Sequence, residues 1–171
     1  QEINRANQRQ IRFGLPPIIG KKYISKIIKQ TPDQLLQRLK ITSVGSHELL
    51  KQLQDGKVDI AVLGSNKLLN QPGIFADLLA TSPFKIIVSK KHPLAKRKAV
   101  SFKELGDEHF INFDQQYVHN AAFQAYCTYA GIKPQIAAYR VPDISWVKEL
   151  VRQNLGISLM VKDAIQNEPG I

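Results

Sequence analysis

Apolar positions along this chain follow two periods, one of two residues and one of three to four, which trade places at short intervals. Ile11, Phe13 and Leu15 alternate with Arg12 and Gly14, so the pattern predicts a strand over 11–15. Pro16-Pro17 breaks that strand and opens a helix, because proline's fixed φ and missing N–H suit the first helical position. Ile18, Ile19, Tyr23, Ile24, Ile27 and Ile28 make one stripe of the helix, and Thr31-Pro32 ends it before a short turn through Leu36. A second strand is expected over 39–44. Ser46 is placed to cap a helix that buries Leu49, Leu50 and Leu53, with Gly56 in the left-handed position beyond its end. The nearly continuous apolar run 58–63 predicts a strand covered on both faces.

The second half repeats this order. Residues 74–79 and 84–88 are strand-like and are separated by Thr81-Ser82-Pro83, which suggests a bend between domains. A polar loop follows over 90–98, and its His92-Pro93 step is most simply a turn. Ser101 caps a short helix ending near Gly106. A strand is expected over 110–113, then a helix over 118–130 closed by Gly131, then a strand over 135–140. Asp143 caps a helix burying Ile144, Val147, Leu150 and Val151 and ended by Gly156, and the last strand covers 157–161. Alternating β and α elements in two halves imply α/β lobes with parallel sheets, the architecture of a hinged, ligand-clasping protein. The boundaries read 1–10 as the end of a linker, 11–82 and 83–161 as the two lobes, and 162–171 as a return segment.

Composition narrows the function. The 171 residues are 43% hydrophobic, enough for one substantial core or two small ones. No apolar run reaches the roughly 18 residues that would cross a membrane. Cys127 has no cysteine to pair with, which fits a reducing cytoplasm. The net charge of +10 is spread out, densest at Lys21-Lys22, Lys90-Lys91 and Lys96-Arg97-Lys98, and reads first as a solvated basic surface, with direct nucleic-acid contact the lesser alternative. His47, His92, His109 and His119 show no metal-ligand spacing among themselves or with Cys127. There is no nucleophile elbow, no phosphate loop and no dinucleotide fingerprint, so no cofactor is expected and an enzyme is disfavoured. Cys127 reads as a buried, inert thiol. Asp59, set in an apolar strand, needs a partner if buried.

Four segments, taken in order, resemble the effector-binding domain of LysR-type bacterial transcription regulators over about residues 11–165. They are Ile11-Arg12-Phe13-Gly14, then Gly45-Ser46 with the helix-Gly-strand run 49–62, then His92-Pro93-Leu94-Ala95, then the helix-Gly-Ile run 150–157. The resemblance implies a periplasmic-binding-protein-like (type 2) fold of two lobes with mixed, mainly parallel sheets. It implies a cytoplasmic sensor that binds a small organic acid between the lobes and self-associates as a dimer or tetramer. It also implies that DNA is reached only through a winged helix-turn-helix domain absent from this chain. A strand and helix that would complete the first lobe are absent too, so the chain reads as a truncated fragment. The stretch 14–20 further resembles a malate-linked branch of the family, which would make malate or a related carboxylate the effector. A solute-binding protein of a transporter shares the two-lobed architecture and is the alternative reading.

In open α/β sheets ligands sit beyond the carboxyl ends of strands, where helix starts offer unpaired N–H groups and partial positive charge. The candidates in the first half are therefore Pro16, Pro17, Ile18, Ser46 and His47, and in the second half Asn112, Phe113 and Asp143 with the neighbouring Pro142. Neither proline has an N–H to give, so only Ile18 and later amides can serve there. Ser46 can act as a cap, a ligand donor or both. Asn112 reads equally as a strand-end polar residue, and Phe113 as core. Asp114 would repel a carboxylate. His47 and His119 read as solvated surface residues that could also sense an anion or pH.

Overall fold

In the computed structural model, β1 (Ile11–Gly14) is the middle strand of a parallel sheet ordered β2-β1-β3, with β2 (Leu39–Thr42) and β3 (Ile60–Ala61) on its flanks. Ile11 faces Leu39, and Phe13 faces both Ile41 and Ile60. Residues 9–65, 71–141, 143–166 and 168–171 are described; of the expected linker end 1–10, all but Arg9 and Gln10 lies outside them. The chain divides into two compact units, Gln1–Leu78 and Leu79–Ile171.

In the N-terminal unit, β1 leads into α1 (Pro17–Gln30), a short α2 (Asp33–Leu36) and β2, and α3 (Ser46–Gln54) then leads to β3. α3 lies close over β1 because Gly14 has no side chain there: a Cβ would meet Leu49 at 2.7 Å and Ala61 at 3.1 Å. Leu15, Leu49 and Val58 form the buried centre. Two expectations change here. Ser46 is the first residue of α3 rather than its cap, which is Gly45. The run 58–63 is not covered on both faces: Ile60 is 55% exposed, and Ile41, across β1 on the other flank of the sheet, is 49% exposed. Asp59 is exposed rather than buried, and its carboxylate is nevertheless met by Arg12.

The C-terminal unit pairs β4 (Phe84–Ile87) antiparallel with β7 (Ser158–Val161), and β5 (His109–Phe113) parallel with β6 (Gln135–Val141). Ile157, just before β7, bridges Phe110 in parallel, which joins the strands in the order β4-β7-β5-β6. Alternation along these strands sorts the core into two layers. Phe110, Ile157 and Leu159 pack with Ala122, Phe123 and Cys127 of α4 (Val118–Ala130). Ile111, Phe113 and Met160 pack with Val147 and Val151 of α5 (Ile144–Arg152). Each fully buried Phe, Leu, Ile or Met contributes roughly 1.5–3 kcal/mol, so this unit, with most of the buried apolar side chains, holds most of the burial energy among the described residues.

Other expectations are sharpened or corrected. Ser101 and Glu104 form a reciprocal capping box on the 3-10 turn Phe102–Leu105, and His92 caps the turn Pro93–Lys96. Residues 74–79 do not form a strand: Ile74 makes one isolated bridge to Gln71, and Phe75, Leu78 and Leu79 are exposed. An apolar run becomes a strand only where an open edge is there to receive it. The left-handed residue ending α5 is Asn154 (φ 60°), not Gly156. Gly156 is required for a different reason, since a Cβ there would lie 2.6 Å from the His109 carbonyl oxygen. His119, expected at the surface, is only 2% exposed. In the return segment, Glu168 meets Lys148 and Arg152 of α5, which holds the chain end against that helix.

Candidate functional site

In the N-terminal unit, three connections gather at the carboxyl end of the parallel sheet. The strand ladder carries on to the Leu15 N–H, which donates to Thr42 O at 2.9 Å, and the Val62 N–H donates to Gly14 O at 2.9 Å. α1 begins with Pro16 as its cap and Pro17 first in the helix, neither with an N–H. The Gly20 N–H already donates to Pro16 O, at 2.8 Å, so Ile18 and Ile19 supply the amides of this helix start. Pro16 is buried, while Pro17 and Ile18 are half-buried. At the start of α3 the buried Ser46 hydroxyl accepts the Gly64 N–H at 2.9 Å. That bond fixes the segment after β3 to the helix start and leaves the hydroxyl its own proton to donate. His47 follows and is exposed.

In the C-terminal unit, the end of β5 and the first half of α4 enclose a cavity of about 380 Å³ lined by Asn112, Phe113, Asp114, Gln115, Asn120, Gln124 and Ile136. Asn112 Oδ1 accepts the Phe113 N–H at 2.9 Å, which leaves its amide N–H groups as donors. Asn120 donates from Nδ2 to Phe113 O at 2.9 Å, which leaves its Oδ1 as an acceptor. Asp114 Oδ1 accepts the Gln116 N–H at 3.2 Å. The lining thus offers neutral donors and acceptors, with Asp114 as its charged member. Phe113 is buried in the core, as its apolar character suggests, and contributes chiefly backbone at the cavity.

Asp143 caps α5: its Oδ1 accepts the N–H of Ser145 at 2.6 Å and of Trp146 at 3.3 Å. This helix start therefore already carries a carboxylate of its own. Pro142 lies outside the described residues. The sequence named Asn112 and Phe113 but missed Gln115, Asn120, Gln124 and Ile136. The available signal was the four-residue spacing of Asn120 and Gln124, which puts both on one face of α4.

The remaining titratable candidates are structural. His119 lies between Phe84 (ring centroids 5.6 Å apart) and Phe113 (4.5 Å), and its Nε2 accepts the Val161 N–H at 3.4 Å. Its proton is therefore on Nδ1, which has no partner among the described residues. Burial lowers its pKa to about 4. Burial raises the Cys127 pKa, so the thiol stays protonated and unreactive. Among the described residues no group of His, Cys, Asp or Glu could hold a metal ion, and no helix is long and apolar enough to cross a membrane.

Comparison with known proteins bears on the family and the fold. The family model for the LysR substrate binding domain matches residues 4–170. The malolactic fermentation system transcriptional activator of Lactococcus lactis is 35% identical over 162 residues, 92% of this chain and 53% of that protein. The HTH-type transcriptional regulator YwbI of Bacillus subtilis is 27% identical over 93% of this chain and 52% of its own length. The chain thus spans about half the length of the curated relatives it matches, and those relatives are transcription regulators rather than enzymes. Among solved structures, the effector binding domain of QuiR in complex with shikimate superposes with a TM-score of 0.76 at 20% identity, covering 90% of this chain and 73% of that one. The regulatory domain of Synechocystis CcmR in complex with 2-PG does so with a TM-score of 0.73 at 16% identity, over 94% and 76%. These likenesses bear out the expected α/β, periplasmic-binding-protein-like fold. With the family model spanning nearly every residue and a 35% identical regulator covering most of the chain, this protein belongs to the LysR substrate-binding domain family, the effector-binding part of LysR-type transcription regulators.

Proposed function

We propose that this domain senses a small hydroxylated organic acid, with malate the first candidate. The observation that carries the reading is the difference in chemistry between the two sets of candidate residues. The N-terminal unit offers amides at two helix starts, from Ile18 on α1 and around Ser46 and His47 on α3, and these suit a carboxylate. The C-terminal unit offers the amide-lined cavity at Asn112, Asn120 and Gln124, which suits hydroxyl groups. Asp143 then acts by holding its own helix start rather than by touching an anion. The resemblance of 14–20 to a malate-linked branch and the identity to a malolactic regulator both favour a four-carbon hydroxy acid.

In the whole protein, ligand binding would favour one arrangement of the units over another by its difference in affinity for the two. That change would pass through contacts between copies, in a dimer or tetramer, to a winged helix-turn-helix domain that reads DNA in the cytoplasm. The direct test is a thermal-shift and calorimetry series with malate, succinate, shikimate and an aromatic carboxylate. A true effector at about 100 times its dissociation constant stabilises the fold by roughly 2.7 kcal/mol. Malate should shift the transition more than succinate, which lacks the hydroxyl. An equal response to both acids would remove the assignment of the amide-lined cavity, and no response to any acid would remove the whole reading.

A further inference from the structure

Residues 90–103 carry six cations and no carboxylate. The segment is ordered by its apolar members. Leu94, Val100 and Phe102 turn inward onto the core layer of Phe110 and Phe123, and Phe102 stacks on Phe110 and Tyr126 at 5.9 and 5.3 Å. His92 Nδ1 accepts the Leu94 N–H at 3.2 Å while its Nε2 lies 3.3 Å from Glu108. The Ser101 N–H donates to Glu104 at 2.7 Å, and the Lys90 N–H donates to Gly170 O at 3.2 Å. All six cations, Lys90, Lys91, Lys96, Arg97, Lys98 and Lys103, are exposed. Arg97 meets Glu104 at 3.2 Å in a pair open to solvent, and the five lysines have no carboxylate partner among the described residues. The result is a fixed loop whose outer side carries five lysines together with the solvent-open Arg97–Glu104 pair.

We propose that this loop is a contact surface for the phosphate backbone of double-stranded DNA. Between the cations the exposed residues of the loop are Pro93, Ala95, Ala99 and Ser101, none aromatic or large and apolar; the exposed aromatic next to it is a single ring, Tyr126 of α4, which stacks on Phe102. A protein partner calls for an apolar or aromatic centre. A single strand calls for stacking rings. Insertion at a lipid surface calls for a bulky apolar face. Phosphates along a duplex call only for spaced positive charges, and lysine supplies them as point charges without reading sequence. The relatives are transcription regulators, which brings such a duplex within reach of the whole protein. The assignment is independent of the effector reading.

The test measures binding of this chain to a short fluorescent duplex of arbitrary sequence by anisotropy. If three phosphates are neutralised, affinity falls about 40-fold between about 50 and about 200 mM salt, from a slope of roughly −0.9 per contact. The triple variant Lys96→Ala/Lys98→Ala/Lys103→Ala should lose most of that slope and bind at least about tenfold more weakly at the lower salt. A charge-matched control in the other unit, Lys26→Ala/Lys29→Ala/Lys40→Ala, should bind within about twofold of the parent. Both variants change exposed side chains and should melt as the parent does. The assignment is overturned by no binding at low salt, by equal losses in both triple variants, or by phosphatidylserine vesicles that capture the chain through the same lysines while duplex DNA does not.

Discussion

Asp59 grips Arg12 three times: its Oδ2 accepts the Arg12 backbone N–H at 2.9 Å and Nε at 3.0 Å, and its Oδ1 accepts from Nη2 at 2.6 Å. These bonds tie β1 to the segment entering β3, and they hold the Asp59 carboxyl well below the usual carboxylate range. A depressed carboxylate pKa stabilises the fold above the ordinary value, and that contribution is lost as pH falls through the folded one. Asp59→Asn should therefore lower the melting temperature at pH 7. Its deficit against the parent should shrink steadily below about pH 4. Melting curves from neutral to strongly acidic pH check this, and a deficit independent of pH would refute it.

His119 acts in a separate window. Its folded pKa of about 4 lies below the ordinary 6.5 because burial penalises the charged ring. The unfolded chain takes up the proton first, so stability declines as pH falls from about 6.5 toward 4. The loss from this residue amounts to about 3 kcal/mol. His119→Leu should remove most of that slope while giving up the weak acceptor for Val161. Urea titrations at neutral and mildly acidic pH separate this effect from that of Asp59.

Gly156 and Asn154 should respond in opposite directions. Gly156→Ala pushes a methyl against the His109 carbonyl, where backbone must move, and should cost about 3 kcal/mol. Asn154→Gly relieves a left-handed residue and should be neutral or stabilise by up to about 1 kcal/mol. Chemical denaturation of the two variants decides it.

Asp143→Ala removes the carboxylate that accepts two amides at the start of α5 and should cost about 1 kcal/mol. If the residue serves as a cap rather than as a ligand group, malate affinity should stay within about threefold of the parent once the loss of fold is allowed for. A larger loss of affinity at unchanged fold would make Asp143 part of the binding surface.

Cys127 lies on the buried face of α4, and burial raises its pKa. A thiol reagent should label the folded chain far more slowly than the urea-unfolded chain, and the labelling rate should follow the unfolding transition. Rapid labelling of the native chain would contradict the burial.

The features legible in the sequence are those set by near neighbours. The short apolar run 110–113 marked β5 as a strand, and Ser101 announced a cap because the turn it closes lies beside it in sequence; its reciprocal partner Glu104 emerged only in the structure. Distant partners were not legible. The run 74–79 has strand-like residues, but whether it pairs depends on an edge elsewhere. His119 looked like a surface residue because nothing beside it in sequence reveals that Phe84, Phe113 and Val161 close around it. Gly156 suggested a helix end, while the real constraint is a carbonyl 47 positions away, at His109. Within the cavity, Asn112 was found at a strand end, whereas Gln124 emerged only once α4 was laid against β5.

The bridge between Phe110 and Ile157 has a consequence for any shortened version of the chain. It makes β5 an interior strand, with neighbours on both sides. Cutting before residue 157 would strip one flank and leave the Ile111 N–H and the His109 carbonyl without the partners Ile157 gives them. Such a fragment would be a template for intermolecular strand addition, so aggregation would be its most visible property.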